Sequence, residues 1–262
     1  ATNEDVEAFG DTYQILVKTQ AIQADGFENP VMALFEGFGE VDAMNVPWEN
    51  DSPIKGDTVF NALHYLNADV TSENITAKVK NVTFGLTKEY ASIASGYKGA
   101  LVDVEQDVPV YAYYVPDGSN YHVYFLADDD IYTPVDSTGL FKDMTALKTV
   151  DTANLNVSRT KIMYEMFRNC SALTAMDVSD WDTGNATDMR SVFRNCKVLP
   201  EIDVADWNTS KVTTLEQTFW GNKNLKNLDV SGWDTSNVTT MKFTFNGCAS
   251  LVDLDLSGWD TG

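Results

Sequence analysis

The sequence is poor in the residues that most chemistry needs. It has two histidines, His64 and His122, and three cysteines, Cys170, Cys196 and Cys248, in 262 residues. Neither histidine has a Cys or Asp pattern of metal-ligand type nearby, and the cysteine spacing fits no zinc site. No nucleophile elbow, phosphate loop or zinc-protease signature occurs. Basic residues are also scarce: 18 Lys and Arg against 39 Asp and Glu leave a formal net charge of −21. That balance excludes nucleic acid and anionic membrane as natural partners. No apolar run approaches the ~18 residues of a membrane span, and no signal peptide is visible. The chain therefore reads as non-enzymatic, with no metal, no cofactor and no membrane insertion in this segment.

What is present is a period. Phe167, Phe193, Phe219 and Phe245 recur every 26 residues, as do Trp181, Trp207, Trp233 and Trp259. Leu173, Leu199, Leu225 and Leu251 keep the same step, and so do Asp177, Asp203, Asp229 and Asp255. An earlier copy has Phe141, Leu147 and Asp151 in register, with Leu155 at the tryptophan position. A fixed period of this length means stacked units that bury one continuous apolar ladder.

Within a copy, Ala186, Met189, Val192, Phe193 and Cys196 follow helical spacing, with Asn185 and Thr187 as N-cap candidates. Leu199, Ile202 and Val204 then alternate as a short strand. The expected unit is one short helix, one short strand and a turn. Such units predict an α/β leucine-rich-repeat solenoid over 139–262, about five copies, with the chain stopping inside the array.

Phe167-Arg-Asn-Cys-Ser-Ala-Leu, Leu228-Asp-Val-Ser-Gly-Trp-Asp-Thr-Ser-Asn-Val-Thr and Leu254-Asp-Leu-Ser-Gly-Trp-Asp-Thr resemble the BspA-type leucine-rich repeats of bacterial surface proteins and lipoproteins. The likeness covers residues 139 to 262, and more weakly 82 to 138. Asn222 departs from it at a cysteine position, and the first copy lacks the tryptophan. The resemblance implies a bacterial cell-surface or secreted protein that adheres to a host or neighbouring-cell protein or a glycan. Two alternatives stand beside it: a stalk spacing another domain, and an accessory region of a carbohydrate-active enzyme. A monomer, extracellular and cut from a longer anchored or secreted protein, is the expected state. Its bacterial character sets aside the sequons at Asn74, Asn81 and Asn237.

The remainder divides at residue 108. Residues 1–108 are expected to form an N-terminal α+β domain of unnamed fold. It would hold a strand at 13–17, an irregular stretch at 21–57, a helix at 58–68, a strand at 79–86 and a short helix ending near Gly96. Residues 109–138 contain aromatic strands flanking Pro116-Asp-Gly-Ser-Asn120, a β-hairpin signal. A solenoid needs its first apolar rung covered, so this hairpin is expected to cap the stack. The charge is uneven: residues 1–138 hold 23 acidic against 6 basic residues, and 139–262 hold 16 against 12.

Three features are candidate sites. The Asp column (Asp177, Asp203, Asp229, Asp255) is either a cation strip or a set of turn acceptors, and one carboxylate per copy is too few for calcium's six to eight oxygens. The Trp column (Trp181, Trp207, Trp233, Trp259) reads as packing. Trp220 sits in the polar column of Arg168, Arg194 and Asn246, and an aromatic there, with Arg168 and Arg194, is a candidate contact surface. The cysteines point inward with their column and are expected to be reduced. Asp128-Asp129-Asp130 reads as a solvated turn.

Overall fold

The computed structural model describes residues 78–97, 99–103 and 109–260. The expected elements at 13–17, 21–57 and 58–68, with His64 and Asn74, lie outside the described residues. Within them, β1 is Val79–Leu86, α1 is Ala91–Gly96 and β2 is Gly99–Asp103. The hairpin strands are β3, Val110–Asp117, and β4, Asn120–Ala127. Short strands follow: β5 at Ile131–Tyr132, β6 at Thr149–Asp151, β7 at Leu155–Asn156 and β8 at Ala175–Met176.

One mixed sheet takes the order β2-β3-β4-β1-β6-β8, and β5 pairs with β7. The hairpin and β2 pair antiparallel, whereas β4, β1, β6 and β8 run parallel. Val82 and Phe84 of β1 point into the core, opposite Val123 and Phe125 of β4. The β-branched and aromatic residues of β1 suit a sheet buried on that face. In the strand order the hairpin and the first repeat are not neighbours. β1 lies between them, with Lys80 O accepting from Lys148 N at 2.7 Å.

The expected helix in each repeat does not form. The only helix among the described residues is α1. The reason lies in where the backbone N–H groups go. An α-helix returns each N–H to the carbonyl four residues back. Here Met189, Ser191, Phe193 and Asn195 donate instead to Thr214, Glu216, Thr218 and Trp220 of the following copy, at 2.8–3.2 Å. Arg194 and Cys196 between them make tight bonds to Ser191 and Phe193, three residues back. Two residues per copy also turn left-handed. Asp143, Asn169 and Asn195 have φ of 62–63°, and Gly221 and Gly247 reach 78° and 80°. Asn, Asp and Gly are the residues that tolerate this region. Four residues earlier, Gly139, Glu165, Ser191, Gln217 and Phe243 are left-handed too. A right-handed helix cannot pass through both positions.

The expected strand in each repeat shrinks as well. Around Leu199–Val204 only a single bridge, Glu201 to Asn227, is made. The helix-and-strand solenoid is therefore replaced by 26-residue units of turns, joined to a mixed sheet and linked by isolated parallel bridges. One such ladder runs Asp136, Ile162, Asp188, Thr214, Thr240; another runs Glu201, Asn227, Asp253. Helical periodicity misled because a tight turn with i, i+3 bonds can bury side chains at similar spacing.

The core is a set of columns. Phe141, Phe167, Phe193, Phe219 and Phe245 stack with neighbouring centroids 4.6–5.9 Å apart. Trp181, Trp207, Trp233 and Trp259 stack at 6.0–6.2 Å with planes within 7°. Equal steps place equal residues in equal surroundings, so one packing solution serves each copy.

Candidate functional site

The Asp column lies on the surface and makes turns. Asp177, Asp203, Asp229 and Asp255 each accept, through Oδ1, the backbone N–H two residues on, at 2.9–3.2 Å. Ser179 and Ser231 add hydroxyl donors at 2.7 Å. These bonds favour the charged form and hold Asp177, Asp229 and Asp255 below the usual carboxylate value. Among the described residues, no cluster of three or more His, Cys, Asp or Glu could hold a metal ion. Asp128, Asp129 and Asp130 are exposed, and Asp130 takes a bond from Asn156 Nδ2 at 3.0 Å.

The tryptophans are core and carry a second job. Trp207, Trp233 and Trp259 donate Nε1–H to the carbonyls of Val178, Val204 and Val230, one copy earlier, at 2.9–3.0 Å. Trp181 Nε1 is buried without a partner. Its preceding copy carries Leu155 in the tryptophan position.

The three cysteines are free. Each Sγ bonds the phenylalanine carbonyl 29 residues back: Phe141, Phe167 and Phe219. Burial pushes the thiols of Cys170 and Cys196 well up, which disfavours the thiolate form. Asn222 fills the fourth place of this column, fully buried, with both side-chain polar atoms unpartnered.

His122 Nε2 lies 2.9 Å from Thr83 Oγ1, and its ring stacks on Tyr124 at 4.1 Å. Burial lowers its pKa, while Asp117 and Asp151 act the other way.

The polar column of Arg168, Arg194 and Trp220 is the most chemically distinct surface. Lys142 and Arg168 converge on Glu165, a carboxylate with 6% of its side chain exposed; Lys142 Nζ is 2.6 Å away. Burial works to raise the Glu165 pKa, but the bonds from Lys142 and Arg168 outweigh it and hold it below its usual value. One copy on, the Arg194 guanidinium lies 4.4 Å over the Trp220 ring. Beside them, Arg190 forks onto Asp188 with its Nη2 2.6 Å from Oδ2, and lies 4.6 Å over Tyr164. The sequence placed Trp220, Arg168 and Arg194 together in one column. The structure stacks Arg194 on Trp220 and ties Arg168 to Glu165, which sequence reasoning passed over. Its mark in the sequence was a lone acid three residues before an arginine.

A charge pattern also went unread. The segments 175–182, 201–208, 227–234 and 253–260 hold eleven Asp and Glu and no Lys or Arg. The intervening segments 183–200, 209–226 and 235–252 hold seven Lys and Arg and two acids, Asp188 and Glu216. The acidic segments carry the Asp turns, and the basic ones carry the Arg194–Trp220 pair.

Comparison with known proteins reaches this same half of the chain. A family model described as "Mycoplasma protein of unknown function, DUF285" matches residues 135–199 and 187–262. No curated protein and no solved structure matches. The two matched stretches overlap at 187–199 and together take in the stacked columns, the Asp turns and the Arg194–Trp220 pair. Among the described residues no helix is long and apolar enough to cross a membrane.

Proposed function

We propose that this chain is a non-enzymatic binding protein of a bacterial cell surface or of the secreted space. Its 26-residue units would present a contact face to a host or neighbouring-cell protein. The observation that carries the reading is the pair of half-exposed arginines laid on aromatic rings, Arg190 on Tyr164 and Arg194 on Trp220. Arginine, tryptophan and tyrosine are the residues that dominate protein–protein contact energies. Stacked side chains have already lost much of their rotamer freedom, so less is lost on binding. The surrounding columns are held by ring stacking and turns, which makes a firm platform. The resemblance of the repeat phrases to BspA-type surface proteins supports the same compartment.

The test is a screen of the intact chain, biotinylated, against extracellular matrix proteins, bacterial surface extracts and a glycan array. Saturable binding to a protein, absent for heat-unfolded chain, is the expected result. Binding to glycans alone would overturn a protein partner. No binding to anything in the panel would overturn the adhesive reading and favour a spacer.

A further inference from the structure

In two successive copies the same arginine position is treated differently. Arg168 is neutralised by Glu165, three residues earlier. In the next copy the corresponding residue is Ser191, buried and left-handed at φ 55°, close to the 57° of Glu165. Serine brings no charge, and Arg194 has no ion pair among the described residues. Both arginines keep a buried Nε without a hydrogen bond, so it is the ion pair to Glu165 that separates them.

The stack on Trp220 adds a second, independent feature. The column holds Lys142, Arg168, Arg194, then Trp220. A cation laid over an indole is held in place by the ring's negative face. With its Nε buried, the two Nη groups of the half-exposed Arg194 are the donors left to meet a carboxylate. The local charge agrees, because segments 183–200 and 209–226 also supply Arg190, Lys197, Lys211, Lys223 and Lys226.

We infer that the Arg194–Trp220 pair is an anchor for a carboxylate side chain of an acidic segment in a partner protein. This rests on the binding function proposed above and names the chemistry of the contact. The chain's overall charge of −21 argues against densely charged polyanions, whose repulsion accumulates along their length. For a short peptide with a few carboxylates the local balance counts: segments 183–200 and 209–226 hold six Lys and Arg against Asp188 and Glu216. Trp220 supplies apolar area beside the charge, as protein contacts use it.

The probe is a fluorescein-labelled peptide of alternating Glu and Gly, titrated with the intact chain and followed by fluorescence anisotropy. A polygalacturonate fragment and inorganic phosphate serve as competitors. Ser191→Glu places a carboxylate where Glu165 stands in the previous copy and so fills the fork from within. It should weaken peptide binding by about tenfold or more, given the strength of a charge-assisted bond. Arg194→Lys keeps the charge and loses the fork, and should weaken binding measurably. Lys80→Gln, whose lysine is paired with Asp117 away from this column, should bind as the parent does. Melting curves of Ser191→Glu and Arg194→Lys near that of the parent keep the comparison valid if Trp220→Ala folds poorly.

No binding of the peptide, or equal affinity in the parent, Ser191→Glu and Arg194→Lys, would overturn the anchor. So would full displacement by phosphate or by the uronate fragment alone. Protein binding in the wider screen with no sensitivity to Arg194 would overturn the anchor and leave the adhesive function standing.

Discussion

Phe84 meets Phe141 edge-on, with centroids 6.0 Å apart and planes at 90°. Phe84 is in β1 and stacks on Phe125 of the hairpin at 4.9 Å. Phe141 begins the column that continues through Phe167 and Phe193. One aromatic chain thus runs from the hairpin through β1 into the repeats. Without a cover, the first ring of the column would face water. The edge-to-face contact turns the parallel stack into a closed end, using a geometry aromatic pairs favour.

The tryptophan column should be a main source of stability. Trp207 is 2% exposed, sits between Trp181 and Trp233, and donates to Val178 O. Trp207→Ala should cost about 3–5 kcal/mol. Trp207→Phe would keep part of the stack, and the Val178 carbonyl would still accept the Trp181 N–H, so it should cost less. Urea unfolding of the two variants checks the order. A midpoint unchanged in Trp207→Ala would show that the column is not packed as described.

Asn222 interrupts the cysteine column at a cost. A buried amide with neither polar atom bonded loses its hydration without return. Asn222→Cys restores the residue found at Cys170, Cys196 and Cys248, whose Sγ would reach the Phe193 carbonyl by the same 29-residue step. The variant should be more stable by about 1–3 kcal/mol. Thermal unfolding under reducing conditions measures this, and a lower melting temperature would count against it.

Acid should loosen the turns in a defined direction. Asp177 has its folded pKa held below the ordinary 3.8 by the Ser179 hydroxyl and backbone N–H. At pH values between the two, the unfolded chain binds the proton and the folded chain does not, so stability rises with pH. The contribution is complete above the ordinary value and is lost as pH falls through the folded one. Asp177→Asn should flatten that limb of the stability–pH curve and leave neutral pH little changed, because the amide oxygen can still accept. Calcium or a chelator should shift neither protein. A calcium-dependent rise in melting temperature, lost in Asp177→Asn, would make the column a cation site.

The 26-residue columns could be read from the chain alone. Phe167, Trp181 and Leu173 recur at one step, and any stack of units must place equal positions in equal surroundings. Strand Val79–Leu86 and the hairpin around Asp117-Gly118 were legible for a local reason: alternation and turn residues lie within a few positions of one another. The destination of the Ser191 and Phe193 N–H groups was not legible, because their acceptors, Glu216 and Thr218, are 25 residues away. A local stripe of apolar residues fits a helix and a chain of tight turns equally well. Only the neighbouring copy, by accepting those hydrogen bonds, selects the turns. The same holds for β1, which enters between the hairpin and the first repeat through partners on both sides. Arg194 shows the principle at a single side chain. Its column could be read from the chain alone, but whether the charge was paired depended on Ser191 standing where Glu165 stands, and on Trp220 arriving from the next copy. Side-chain identity is local; the partner that satisfies it is decided where distant segments meet.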